Sequence, residues 1–482
     1  MGKKSIKKNY LFHVAYEVLL LITPLVTTPY LSRVLGAEGI GTISYAESIM
    51  SYFTMAATLG LTTFGRREIS YVRDNGRERT KIFWEAKLFE VMTTAVVLAI
   101  YIPFALTQEN QLLYLILSFN LIAVIADATW FFQGLEEFGK VILRNIIFKA
   151  INIAYIFIFV KSREDVIRYV FGLAFFLLLS NVSLWIYLPQ YTEKIDIREL
   201  RPFRHIKAVF LLFIPTIAIQ VYTVLDKTMI GLITQSAFEN GYYEQALKIS
   251  RMVLTMVTAL GTVVSPRIGY HFGRGETQKV NAYIYRGYRF VWFLGIPLCF
   301  GLLGISSNLV PWFFGAGYDK VIPLLGILGF LIPAIGINNV TGMQYLIPTK
   351  RQNIFTLTVL IGAGVNFILN LVLIYFFQSV GAAIASVAAE TTIALVQLYF
   401  VRKEFSIRQI FLSSRHYLGA GGVMYIVLKI SGLKLSSSVI HTVGMIFCGA
   451  LVYIVSLLLL RDSFLIENVG NILGKIKRRR LR

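Results

Sequence analysis

Apolar residues fall in long runs separated by short polar segments, and about fourteen of these runs approach the ~20 residues a helix needs to cross hydrocarbon. They lie near 10–32, 41–65, 82–106, 111–133, 141–160, 166–188, 207–233, 242–264, 286–307, 321–345, 354–377, 380–401, 414–430 and 439–460. The thirteenth is short and glycine-rich. This pattern predicts an all-α polytopic membrane protein of about 14 transmembrane helices. The largest connections run to about 20 residues and are rich in charge, which leaves no room for a separate soluble catalytic domain.

Composition agrees: of 482 residues 56% are hydrophobic and 15% charged, which excludes an ordinary soluble protein. In a soluble chain a net charge of +21 would suggest nucleic acid. Here the positive-inside rule absorbs it. With the N-terminus inside, the segments 66–81, 140–144, 194–207, 267–289, 350–351, 402–415 and 475–482, both tails and Arg461 hold about 35 of the 47 Lys and Arg, against about 7 on the other side. Both termini are therefore expected in the cytoplasm, and no nucleic-acid partner. The start, MGKKSIKKN before an apolar run, lacks a cleavage pattern and reads as an uncleaved first helix. Cys299 and Cys448 lie in apolar runs, and the five histidines lack close His or Cys neighbours, so neither a disulfide framework nor a metal site is expected.

Weak internal similarity suggests two halves. TPLVTTPYL (23–31) in the first helix faces IPTIAIQVY (214–222) in the seventh, and FQGLEEFGKVILRN (132–145) faces GMQYLIPTKRQN (342–353). The natural parse is a six-helix bundle over 1–206, a second over 207–404, and two extra helices with a basic tail over 405–482. Repeats of this kind in transporters place the substrate between them.

Charges inside the runs are the candidates for chemistry, because each costs about 2.5 to 3.5 kcal/mol at the centre of a bilayer. The stretch 220–266 carries Asp226, Lys227, Glu244, Lys248 and Arg251. Steps of three and four residues put Glu244, Lys248, Arg251, Thr255, Thr258 and Thr262 on one helix face, and Gln220, Thr223 and Asp226 on another. Such a pair of helices walls a solvated chamber, unless Asp226 and Glu244 merely neutralise Lys227 and Lys248 within the bundle. By depth, Glu17, Asp127 and Lys149 lie in the cytoplasmic part of the membrane, whereas Asp226, Lys227, Lys248 and Arg251 lie in the outer third. Glu390 is mid-way along the twelfth helix, at a depth similar to Asn366 and Asn370, and has no obvious partner.

The stretches PYLSRVLGAEGIG (29–41), WFFQGLEEFGK (130–140), LDKTMIG (225–231) and GAGVNFILNLVLI (362–374) leading into GAAIASVAAE resemble the polysaccharide transporters of the multidrug/oligosaccharidyl-lipid/polysaccharide exporter superfamily. The resemblance extends over almost the whole chain. It implies two pseudo-symmetric six-helix bundles around a central V-shaped cavity, in the bacterial cytoplasmic membrane. It also implies a flippase, not an enzyme, that moves undecaprenyl-diphosphate-linked oligosaccharides from the inner to the outer leaflet for capsule, O-antigen or exopolysaccharide assembly. Polysaccharide polymerase and chain-length machinery are further candidate partners. Family members have a cationic cavity for the diphosphate, a role that Lys248 and Arg251, with Lys227, fit best. Asp226, Glu244, Glu17 and Asp127 are candidates for coupling to H+ or Na+; Lys149, Asn366, Asn370 and Glu390 are further cavity candidates, with no other cofactor expected. Two alternatives stay open: a cation-coupled multidrug exporter, and a membrane polysaccharide polymerase or glycosyltransferase.

Overall fold

The computed structural model describes residues 6–467, with side chains throughout that range except at 6–18, 20, 21, 212, 214–222, 262 and 263. The basic tail 475–482 lies outside it. Among the described residues the regular structure is helical, and nine helices are long and apolar enough to cross a membrane. The chain divides into two compact units, Met1–Gly231 and Leu232–Arg482.

The first unit holds α1 (Ile6–Thr58), α2 (Leu61–Tyr71), α3 (Gly76–Leu106), α4 (Gln111–Ala126), α5 (Thr129–Gly134), α6 (Phe138–Phe159), α7 (Val166–Ser183) and most of α8 (Ile206–Thr234). The first two predicted runs form the single element α1, sharply bent at Gly36, whose φ of 69° favours a residue without Cβ. The second run ends early, at Thr58. Gly60, with φ 79°, sits 3.2 Å from the Phe213 backbone where a Cβ would be, so the chain turns there before α2 begins. Two apolar clusters fill the unit: one around Leu31, Tyr101, Leu121 and Val160, the other around Phe83, Trp130, Phe131 and Phe132.

The second unit holds α9 (Ala237–Gly273), α10 (Thr277–Phe314), α11 (Val321–Leu328), α12 (Leu331–Asn338), a π-helical segment Asn339–Leu346, α13 (Gln352–Val401), α14 (Ile407–Leu412), α15 (Arg415–Lys434) and α16 (Val439–Leu459). The 50-residue α13 covers the eleventh and twelfth runs and bends at Gln378, φ 55°. The thirteenth run forms α15, which packs on α10 and α16.

In each unit the basic connections meet at one end. In the first, Arg73 pairs with Glu136 at 3.0 Å, Arg77 with Glu199 at 2.8 Å, and Lys140 donates to the Tyr191 hydroxyl at 2.7 Å. In the second, Arg351 holds Glu404 at 2.6 Å and Arg289 donates to Ser463 at 2.8 Å. The alternation that the charge rule requires is therefore built into the helix order. At the other end of the second unit Lys320 bridges the Glu239 carboxylate (2.6 Å) and the Gln378 side chain (2.7 Å), while Ser379 donates its backbone N–H and hydroxyl to Glu239.

Candidate functional site

The fourth predicted span is not continuous: α4 stops at Ala126, and Asp127, which is extended, and Ala128 separate it from α5. A break inside a membrane leaves carbonyls that need partners. Here side chains supply most of them. Asn181 donates to the Ala123 carbonyl at 2.8 Å, Trp185 to Ala126 at 2.7 Å, and the Lys87 ammonium to Asp127 at 2.6 Å. The Asp127 carboxylate turns forward and accepts the Thr129 N–H at 2.8 Å, starting α5. Lys87 is buried, pairs with the buried Glu90 one turn along α3, and lies 5.8 Å from the Trp130 ring centre.

Beside this break the first unit has two open cavities with mixed polar and apolar walls. The larger, of about 650 Å³, is walled by α1, α4, α7 and α8; its polar residues include Glu47, Tyr52, Thr58, Asn120, Asp127 and Asn181. The smaller, of about 350 Å³, is walled by Asn145, Lys149, Asn152 and Ser180 with Phe148 and Phe176. Glu47, Asn120 and Leu177 belong to both walls. Arg144 lies just behind. Counted from sequence among the cytoplasmic charges, it is instead buried, its guanidinium donating to Asn145 (2.7 Å), Ser180 (3.2 Å), Asn181 (3.3 Å) and Thr129 (3.3 Å). Arg144, four residues after Lys140, lies on the face of α6 that packs against Ser180 and Asn181, which depth counting alone does not resolve.

Of the residues expected from sequence, Asp127 and Lys149 thus come to adjoining cavities. Glu17 lies outside the residues whose side chains are described, as do Gln220 and Thr262. On α8, Asp226 is buried and Lys227 half-buried, directly before Thr228, which donates to Ser48 at 2.9 Å and bonds Tyr52 at 3.1 Å. On α9, Arg251 and Thr255 are exposed and Glu244, Lys248 and Thr258 half-buried, while Tyr243, Ala246 and Ser250 face inward. The Lys248 ammonium lies 3.8 Å from the Glu244 carboxylate, at the outer limit of an ion pair. Asn366 and Asn370 are fully buried and bonded to each other at 3.1 Å. Glu390 does have a close partner: the Asn338 amide donates to its carboxylate at 2.5 Å and to its carbonyl at 3.1 Å. Glu47, Glu90, Asn120 and Asn181 carried no reading from sequence; a lone acid or amide in an apolar run was the available signal. Among the described residues no three His, Cys, Asp or Glu side chains gather as metal ligands.

A model of the family described as "Polysaccharide biosynthesis protein" matches residues 6–271, more than half of the chain. The chain belongs to that family. The part of this polysaccharide biosynthesis protein that matches includes both cavities and the Lys248 and Arg251 face of α9. Over 417 residues it is 26% identical to the "Putative O-antigen transporter" of Escherichia coli K12, covering 83% of this chain and 98% of the relative. Over 439 residues it is 23% identical to the "Probable low-salt glycan biosynthesis flippase Agl15" of Haloferax volcanii, covering 88% and 89%. Its fold matches that of the lipid II flippase MurJ in an inward closed conformation, with a TM-score of 0.73 at 18% identity over 94% of this chain and all of that one. An inward-facing multidrug resistance MATE transporter of the MOP superfamily matches with 0.58 at 13% identity, over 82% and 99%. The protein is an all-helical, multi-span membrane protein of this fold, from a family of transporters and not of enzymes.

Proposed function

We propose that this protein is a flippase for undecaprenyl-diphosphate-linked oligosaccharides, carrying O-antigen-like repeat units from the inner to the outer leaflet of a bacterial cytoplasmic membrane. The observation that carries the reading is the polysaccharide-biosynthesis family match across a membrane-embedded unit that keeps open cavities with polar groups in their walls beside a broken span. The names of the O-antigen transporter and glycan flippase relatives support it. In this proposal two six-helix bundles, 1–206 and 207–404, alternate access around a V-shaped cavity. Lys248 and Arg251, with Lys227, hold the diphosphate through charge-assisted hydrogen bonds; their position on a polar, partly exposed face of α9 and α8 fits that task. Moving two negative charges outward across an inside-negative potential is favourable by about 4 to 5 kcal/mol per 100 mV. Asp226, Glu244, Glu17 and Asp127 are then the groups for H+ or Na+ coupling.

The test is transfer of a labelled undecaprenyl-diphosphate oligosaccharide across proteoliposome membranes. The native protein moves it, and Lys248→Gln combined with Arg251→Gln abolishes movement; undiminished transfer by the double variant removes both from the mechanism. One observation favours a second reading. Glu47 and Asp127 give the larger cavity an acidic wall, as a cation-coupled drug exporter on the same fold would need. Resistance to organic cations conferred by the protein, with no lipid transfer, selects that reading.

A further inference from the structure

We propose that the two adjoining cavities of the first unit form the oligosaccharide subsite, holding the glycan while the diphosphate is held elsewhere. The inference rests on the flippase reading and adds where the sugars bind. Its starting point is the chemistry of the walls. The larger cavity presents hydroxyl and amide groups from Ser51, Tyr52, Thr54, Thr58 and Asn120; the smaller presents Asn152 and Ser180, whereas the Asn181 amide and the Asn145 oxygen are taken up by Ala123 and Arg144. Neutral groups that both donate and accept outnumber charges, which is what a pyranose needs, since every ring hydroxyl also donates and accepts. Phe148, Phe176 and Leu177 add apolar faces against which the C–H side of a ring packs.

Size and energetics point the same way. Both volumes lie within the ~300–1,000 Å³ range of small-molecule sites. Because Glu47, Asn120 and Leu177 are shared, the two compartments adjoin, as successive sugars of a chain require. A sugar carried through hydrocarbon leaves unsatisfied hydroxyls unless the protein replaces water around it. Two carboxylates, Glu47 and Asp127, make the larger compartment a poor host for a diphosphate, since like charges repel. The larger compartment thus favours a neutral glycan over the diphosphate, and in the smaller one Lys149 stands with Glu47, so that its wall carries one charge of each sign.

Asn120, half-buried in the shared wall, is the residue to change. The probes are undecaprenyl diphosphate carrying a neutral tetrasaccharide with an N-acetylhexosamine, and the same lipid carrying one N-acetylhexosamine. Transfer of both is measured in proteoliposomes, and the ratio of the two rates is the readout. Asn120→Leu is expected to lower the ratio of long to short by about tenfold, the effect of removing hydrogen bonds to sugar hydroxyls. Asn152→Leu, in the other compartment, is expected to lower it in the same direction. An unchanged ratio in both variants, whether the rates are intact or fall together, overturns the subsite. If the native protein moves neither lipid, the flippase reading itself fails, which is a different result.

Discussion

In the first unit the span broken at Asp127 and Ala128 satisfies its loose carbonyls with side chains: Asn181, Trp185 and Lys87. In the second unit the span broken at Gly329 and Phe330 does so with its own amides. Gly329 donates to Leu325 at 2.9 Å, Phe330 to Ile327 at 3.0 Å and Ile332 to Gly329 at 3.1 Å. The causes differ as well. Pro333 in the first turn of α12 lacks an N–H and its ring collides with the carbonyl four residues back, Gly329. No proline stands at the first break; an acid does, and its carboxylate accepts the first N–H of the next helix. A break closed by backbone needs no polar surroundings. A break closed by side chains draws Lys87, Glu90, Arg144 and Asn181 into the membrane, and open cavities with polar groups in their walls lie beside it.

That contrast orders the expected effects of substitution. Lys87→Met strands the Glu90 carboxylate in a buried site and removes a donor from the Asp127 carbonyl, and is expected to cost about 3–5 kcal/mol of stability. Unfolding in detergent measures it, and Lys87→Met with Glu90→Met should recover most of the loss; no recovery would show that the carbonyl contact, not the pair, dominates. Asn181→Leu removes one donor and one acceptor at the same break and is expected to cost about 1–3 kcal/mol.

Pro333→Ala, at the other break, is expected to change stability by less than about 1 kcal/mol, because backbone amides close that turn. A loss as large as that of Asn181→Leu would erase the distinction between the breaks. The smallest effect belongs to Glu404, at the basic end of the second unit. Partial burial works to raise its pKa, but the Arg351 guanidinium and the Tyr345 hydroxyl outweigh it and hold the carboxyl below its ordinary 4.5. A lowered folded value means that the stabilisation is present above pH 4.5 and is lost as pH falls through the folded value. The two side chains are still 31% and 33% exposed and water screens the pair, so under about 1 kcal/mol is at stake, and Arg351→Gln should remove that pH dependence.

The sequence made the spans legible because hydrocarbon thickness sets run length, and the basic connections do gather at one end of each unit. It marked Asp127 as unusual, and Pro333 stood in plain view within an apolar run. What periodicity could not supply were partners far along the chain. Asn181 is 58 residues from the carbonyl it satisfies, and Asn338 is 52 from Glu390. Arg144, four residues beyond Lys140, looked like a surface charge until the packing of α6 against Ser180 and Asn181 turned it inward. Glu47 was hidden for the same reason, since its significance lies in two cavities that only helices brought together from 47, 120 and 177 can form.

The wet interior of the first unit is open to direct measurement. With Cys299 and Cys448 replaced by alanine, Asn120→Cys in proteoliposomes can be exposed to a membrane-impermeant thiol reagent from each side in turn. The account predicts reaction from at least one side, at a rate within about tenfold of that of Thr107→Cys in an exposed connection, since a water-filled cavity leaves the thiol ionisable and reachable. Absence of reaction from both sides, with Thr107→Cys labelled normally, would contradict it.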